Sequence, residues 1–185
     1  MCSHIIQSME SQQTATMAYY FCNSHTDGKD CCSQILRTIT VQLLRANIDL
    51  AAHVSENYSS RGCNPSMQQL RKLIPELLGT ISLTRIVIDG LDECQERDQK
   101  LILQELITLC TPSGGHCKLL FSSREGVLIA RSLRDKACIS LKEMKSQVDS
   151  DIQKYVNRDL LELRRRFDGS IIDKIEQRVV QKASG

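Results

Sequence analysis

The run Arg85-Ile86-Val87-Ile88-Asp89 constrains the fold more than any other stretch of the chain. Its β-branched residues favour a strand, and they are apolar on both faces. A strand of that kind belongs inside a parallel sheet covered by helices above and below. Parallel neighbours need long crossovers, so the flanking segments should alternate strand with helix. Met17 to Cys22 is an apolar, aromatic run closed by the turn-rich Asn23-Ser24-His25-Thr26-Asp27-Gly28. Lys118 to Ser122 reads as the next strand after the central one, and Ala137 to Leu141 as a fourth.

The intervening segments have helical periodicity. Residues 2–12 form a short helix, and Ile35, Leu36, Ile39, Leu43 and Leu44 share one face of a helix from about Asp30 to Asn47. A looser helix runs from Leu50 to Tyr58. Ser66 and Gln69 have the spacing of a capping box, opening a helix to about Leu78 with Pro75 as a kink. Arg97 to Cys110 is a further helix, ended by Pro112-Ser113-Gly114-Gly115, and 125–133 a short one. From Asp149 to Ala183 the chain reads as all helix, with stripes at Ile152, Tyr155, Val156, Leu160, Leu163, Phe167 and at Ile171, Ile172, Ile175, Val179.

Composition narrows the functional classes. At 185 residues the chain suits one domain rather than two comfortable ones. A net charge of +2 suggests neither nucleic acid nor an acidic membrane as partner. No apolar run approaches the roughly 20 residues of a membrane span, and Met1 to Glu10 lacks the pattern of a signal peptide. The 9 Cys are odd in number and contain no C-x-x-C, and the 4 His are scattered, which argues against zinc or a disulfide framework. Free thiols in a reducing, cytoplasmic or nuclear interior are expected. Cys31-Cys32 begins a helix, where thiol pKa values fall. Tyr19, Tyr20 and Phe21 read as core aromatics, and Arg164-Arg165-Arg166 as a solvated helix face.

Two stretches could carry chemistry. In Ile88-Asp89-Gly90-Leu91-Asp92-Glu93 a buried strand delivers a carboxylate to the C-terminal rim of the sheet, where ligands of open α/β sheets bind. A carboxylate there can hold Mg²⁺ together with nucleotide phosphates, and an acid three or four residues on can orient water. The alternative is a strand followed by an ordinary polar turn. Ser122-Ser123-Arg124 brings two hydroxyls and a guanidinium to the same rim, suited to a terminal phosphate. Its alternative is a helix-capping Ser followed by a solvated Arg.

Strand, helix, Asp-Gly-Leu-Asp-Glu, helix and strand-Ser-Ser-Arg, in that order, resemble the NACHT class of STAND P-loop NTPases. More narrowly, the chain is similar to the nephrocystin-like N-terminal domains of fungal multidomain signalling proteins. The likeness extends to Ala18-Tyr19-Tyr20-Phe21-Cys22, Ile35-Leu36-Arg37-Thr38-Ile39 with Gln42-Leu43-Leu44, and Asp151-Ile152 with Tyr155-Val156. It implies an α/β fold, a three-layer parallel sheet of the P-loop NTPase type with a C-terminal helical appendage. Residues 1–145 would be a truncated core and 146–185 the start of a helical subdomain. It further implies Mg and ATP as cofactors, with Asp89 as the Walker B metal carboxylate. Asp92 or Glu93 would be the water-activating acid, and Arg124, beside Ser123, would read the terminal phosphate.

One departure matters more than these matches. The sequence contains no G-x-x-x-x-G-K-[ST], whose backbone, Lys and hydroxyl hold phosphates and Mg²⁺. Gly28-Lys29 is followed by Asp30, and Cys2-Ser3-His4-Ile5-Ile6 resembles the helix that begins inside a P-loop. Both ends therefore read as truncated, with the first strand and P-loop missing, and the chain alone is expected to show no appreciable ATP hydrolysis. The expected strand order is 17–22, 84–88, 117–122, with 137–141 displaced or re-paired. Functionally the chain reads as a fragment of a nucleotide-dependent switch, or as a non-enzymatic remnant that self-associates or binds full-length relatives. A third reading is a soluble α/β domain whose rim acids do nothing.

Overall fold

A computed structural model describes residues 2–23, 30–47, 51, 54, 65–165 and 167–183. The helix expected from Leu50 to Tyr58 lies almost wholly outside them. The chain divides into two compact units, Met1–Arg134 and Asp135–Gly185.

The first unit is built on a parallel sheet of β1 (Thr16–Phe21), β2 (Thr84–Asp89) and β3 (Cys117–Phe121), in the order β1-β2-β3. That order agrees with the expected one. The register pairs Ala18 with Ile86 and Tyr20 with Ile88, then Ile86 with Leu119 and Ile88 with Phe121. Side chains alternate across a strand, so these residues share one face. It carries the main core, formed with α2 (Cys31–Ala46), α3 (Met67–Thr80) and α4 (Glu96–Cys110). The opposite face presents Val87, which packs with Met17, Tyr19, Cys2 and Ile6 beneath α1 (Cys2–Gln12). Helices on both faces make three layers, and they explain why Ile86, Val87 and Ile88 make β2 apolar on both faces.

Local chemistry sets the helix starts. Asp30 accepts the Ser33 N–H at 3.3 Å and caps α2. Ser66 and Gln69 form the capping box of α3 in full, each side chain reaching the other's backbone N–H. Pro75 lies within α3, which continues to Thr80. Arg71 grips Glu105 with two hydrogen bonds, of 2.9 and 2.5 Å, tying α3 to α4.

The two sheet edges differ. At β1, the Gln42 amide takes the place of a neighbouring strand: its Oε1 accepts the Tyr19 N–H at 2.8 Å, and its Nε2 donates to the Tyr19 carbonyl at 2.9 Å. At β3, no described strand covers the outer edge. Unpaired edges template pairing with other chains, and a side-chain amide is an economical way to blunt one.

Two expectations need correction. Ala137 to Leu141 is not a strand, and Ile139 is 79% exposed. No described strand pairs with it, and an extended segment without a partner leaves its ladder groups unmatched. The aromatics of β1 are not wholly core: Tyr19 and Tyr20 are half-buried and Phe21 is exposed. An edge strand is covered from one side only, and Phe21 instead meets the Tyr19 ring edge-on at 5.7 Å.

In the second unit the tail is all helix, in two pieces, α6 (Lys145–Arg164) and α7 (Gly169–Ala183), after the short α5 (Val127–Ser132) of the first unit. The break comes at Asp168, whose carboxylate accepts the Ser170 N–H at 2.9 Å and starts α7 afresh. Val156, Leu160 and Ile172 form its small core with Ile152. Arg164 bridges the helices through Asp173 at 3.0 Å and Glu176 at 2.6 Å, so the first residue of the arginine run is ion-paired. Tyr155, Phe167 and Ile171 remain exposed. Among the described residues, no helix is long and apolar enough to cross a membrane.

Candidate functional site at the C-terminal rim of the sheet

β2 ends at Asp89 between its two neighbours. The ladder runs one residue past each of them: Cys22 N–H donates to the Asp89 carbonyl at 2.8 Å, and Ser122 N–H donates to the Ile88 carbonyl at 2.9 Å. This register sets Ser122 against Asp89, and the Ser122 hydroxyl donates to Asp89 Oδ1. The same hydroxyl accepts the Gly90 N–H at 3.3 Å.

Gly90 turns the chain away from the sheet with φ +70°, a conformation that disfavours other residues. A Cβ there would be in van der Waals contact with the Cys22 carbonyl at 3.4 Å, so the constraint at this position is the backbone angle. The next residues, Leu91–Glu93, make a single 3₁₀ turn anchored by the buried Leu91. Asp92 faces the end of β3: its Oδ1 accepts the Arg124 N–H at 2.9 Å, and its Oδ2 lies 3.6 Å from Arg124 Nε. Glu93 is exposed and reaches back over Gly90. Gln99 closes the turn by donating to the Cys94 carbonyl at 2.7 Å.

Of the residues singled out in the sequence, Asp89, Asp92 and Arg124 thus share one rim. Ser123 is beside them but exposed, and Ser122 is the hydroxyl that meets the acid. Cys2, at the start of α1, is 1% exposed and comes to the same place. Burial pushes its thiol up, and a hydrogen bond with Asp89 adds to this.

Below the turn lies a feature that motif spacing does not reveal. Cys94 Sγ is 3.4 Å from Cys31 Sγ and also hydrogen bonds with the Cys22 thiol. The Cys31 thiol is pushed up to about 12, first by burial, then by its bond to Cys94 and by the charges of Asp98 and Asp30. The lowering expected at a helix start is overwhelmed. Cys94 is raised as well, by the Cys22 hydrogen bond and by burial. Cys32, one residue on, is raised to about 12 by burial and by Glu105.

Mg–ATP is the cofactor that the resemblance implies, and the residues present do not fit it as a set. Asp89 is bonded to Ser122, and Arg124 is paired to Asp92. The sequence has no G-x-x-x-x-G-K-[ST] to cradle phosphates. Among the described residues, no group of three or more His, Cys, Asp or Glu could hold a metal ion.

The family model described as nephrocystin 3, N-terminal, matches residues 1–124. No curated protein and no solved structure matches the chain. The match spans all three strands and the turns of the rim, from α1 through Arg124. On that coverage, the chain belongs to the nephrocystin 3 N-terminal family.

Proposed function

We propose that this chain is an interaction module, a NACHT remnant that binds full-length relatives and by itself does not turn over ATP. The observation that carries this reading is the internal pairing of the rim. Asp89 is satisfied by Ser122 and Asp92 by Arg124, so the acids hold the β2 turn and the end of β3 to each other. Within these 185 residues there is no G-x-x-x-x-G-K-[ST], and a single preorganised donor of that kind contributes roughly 3–4 kcal/mol to a transition state. The outer edge of β3, with which no described strand pairs, is a backbone surface on which a relative can pair. The free thiols fit a reducing, cytoplasmic setting. Residues 1–145 act in this reading as the core and 146–185 as the start of a helical subdomain.

The convergence of Asp89, Asp92 and Arg124 on one rim favours a second reading, a piece of a nucleotide-dependent signalling switch. Asp89 would then be the metal carboxylate and Asp92 or Glu93 the water-orienting acid. Ser123 and Arg124 would face the terminal phosphate.

Light scattering on size-exclusion fractions separates the two readings. The purified chain is mixed with a full-length family relative that carries G-x-x-x-x-G-K-[ST], and Mg–ATP turnover by the chain alone is measured in parallel. A mixed species of defined stoichiometry, with no turnover, is the expected result. Turnover by the chain alone that disappears in Asp89→Asn would overturn the interaction reading in favour of the second.

A further inference from the structure

We propose that Cys31 and Cys94 are a disulfide-forming pair that clamps the acidic turn after β2 to the start of α2, with a low-molecular-weight disulfide as the oxidant. Three elements bring thiols to one point. Cys22 follows β1 directly, Cys31 is the first residue of α2, and Cys94 closes the turn Leu91–Glu93. Cys31 and Cys94 are in contact at 3.4 Å, and a disulfide of about 2.05 Å needs only a small further approach. Both are partly exposed, whereas Cys22 is buried, so a small reagent reaches the pair first.

The exchange balances in two steps. The Cys94 thiol loses its proton to solvent, and the sulfur attacks the reagent RS–SR. This forms a mixed disulfide and releases one RS⁻, which takes up a proton. Cys31, deprotonated in turn, attacks the Cys94 sulfur and expels the second RS⁻. Two protein thiols and one RS–SR become one protein disulfide and two RSH. Burial disfavours either thiolate, and it does not penalise an uncharged disulfide.

The clamp has consequences for the rim. Cys94 ends the turn that carries Asp92 and Glu93, and its carbonyl is held by Gln99 at the start of α4. Oxidation would fix that turn to α2 as well, closing a loop between residues 63 positions apart.

The test uses the full chain, incubated with oxidised glutathione under native conditions, blocked with iodoacetamide and digested with trypsin. The expected product joins Asp30–Arg37 to Ile86–Arg97, with fragment ions placing the bond on Cys31 rather than Cys32. The oxidised chain should unfold at a urea midpoint about 1 M or more above the reduced one. Neither the cross-link nor the shift should occur in Cys31→Ser. In denaturing urea the specific pair should give way to mixed pairings. A native map dominated by Cys22 paired with either thiol, or by mixed disulfides that never resolve, overturns the assignment. So does a 31–94 yield that is the same in urea as in buffer.

Discussion

Truncating Ser122 to Ala should loosen the rim by an amount that can be worked from its contacts. The hydroxyl donates to the Asp89 carboxylate and accepts the Gly90 N–H at 3.3 Å, and both residues are half-buried. A hydrogen bond to a charged group contributes about 1.5–3 kcal/mol, and partial access of water to Asp89 reduces the loss to about 1–2 kcal/mol. The longer Gly90 bond adds little. The backbone bonds of Ser122 to Ile88 and Leu91 are untouched, so the strand end stays in register. With a urea slope of about 2 kcal/mol/M, the midpoint should fall by about 0.5–1 M. The chain has 0 Trp, so far-UV circular dichroism is the appropriate probe. Ser123→Ala is the internal control, because an exposed hydroxyl away from the acid should cost within about 0.5 kcal/mol. Ser122→Ala combined with Asp89→Asn should fall short of additivity, since Asp89→Asn weakens the same bond by removing the charge of its acceptor. Equal shifts for Ser122→Ala and Ser123→Ala, or full additivity with Asp89→Asn, would refute the pairing on which the interaction reading rests.

Gln42→Ala should remove both bonds that blunt the β1 edge, costing about 1–2 kcal/mol and raising concentration-dependent light scattering as the edge becomes available. A variant that loses stability without gaining any tendency to associate would contradict the edge-capping role. Alkaline pH should destabilise the first unit through Cys31 and Cys32, whose thiols rise from 9.0 to about 12 on folding. In that window the unfolded chain releases protons the folded chain keeps, so their stabilisation is full below pH 9 and is lost towards 12. Urea midpoints measured from about pH 8 to about pH 11 should decline, less steeply in Cys31→Ser. A midpoint insensitive to pH, or a slope unchanged by the substitution, would count against it.

The elements that were legible in the sequence are those whose information is local. The stripe Ile35, Leu36, Ile39, Leu43 repeats within α2, and the capping box of α3 lies within four residues. The both-faces-apolar pattern of β2 announces two flanking helical layers, and these are present. Where pairing partners decide, local signals mislead. Ala137 to Leu141 has the composition of a strand and no described strand to pair with. Phe21 has the composition of a core residue but occupies an edge strand. The two stripes of the tail were legible as two apolar faces, and the capping bond from Ser170 to Asp168 fixes where the second helix starts.

The site follows the same logic one step further. An acid at the end of an apolar parallel strand has to reach the C-terminal rim, so Asp89 and its turn were legible from the strand alone. Which of Ser122 and Ser123 meets that acid is settled by register: Phe121 pairs with Ile88, and the next residue therefore stands opposite Asp89. The thiol cluster was hidden because spacing rules look for cysteines close in sequence, and Cys22, Cys31 and Cys94 are not. The topological rule that located the acids locates them too. A residue just past one parallel strand, one in the turn past its neighbour and one opening the crossover helix between them are all delivered to the same rim. Acids and thiols therefore meet on the single turn from Gly90 to Cys94, one end tied to β3 through Asp92 and the other touching α2 through Cys94. If Cys31 and Cys94 join as proposed, the new bond closes one end of the same short turn that Asp92 ties to β3 at the other.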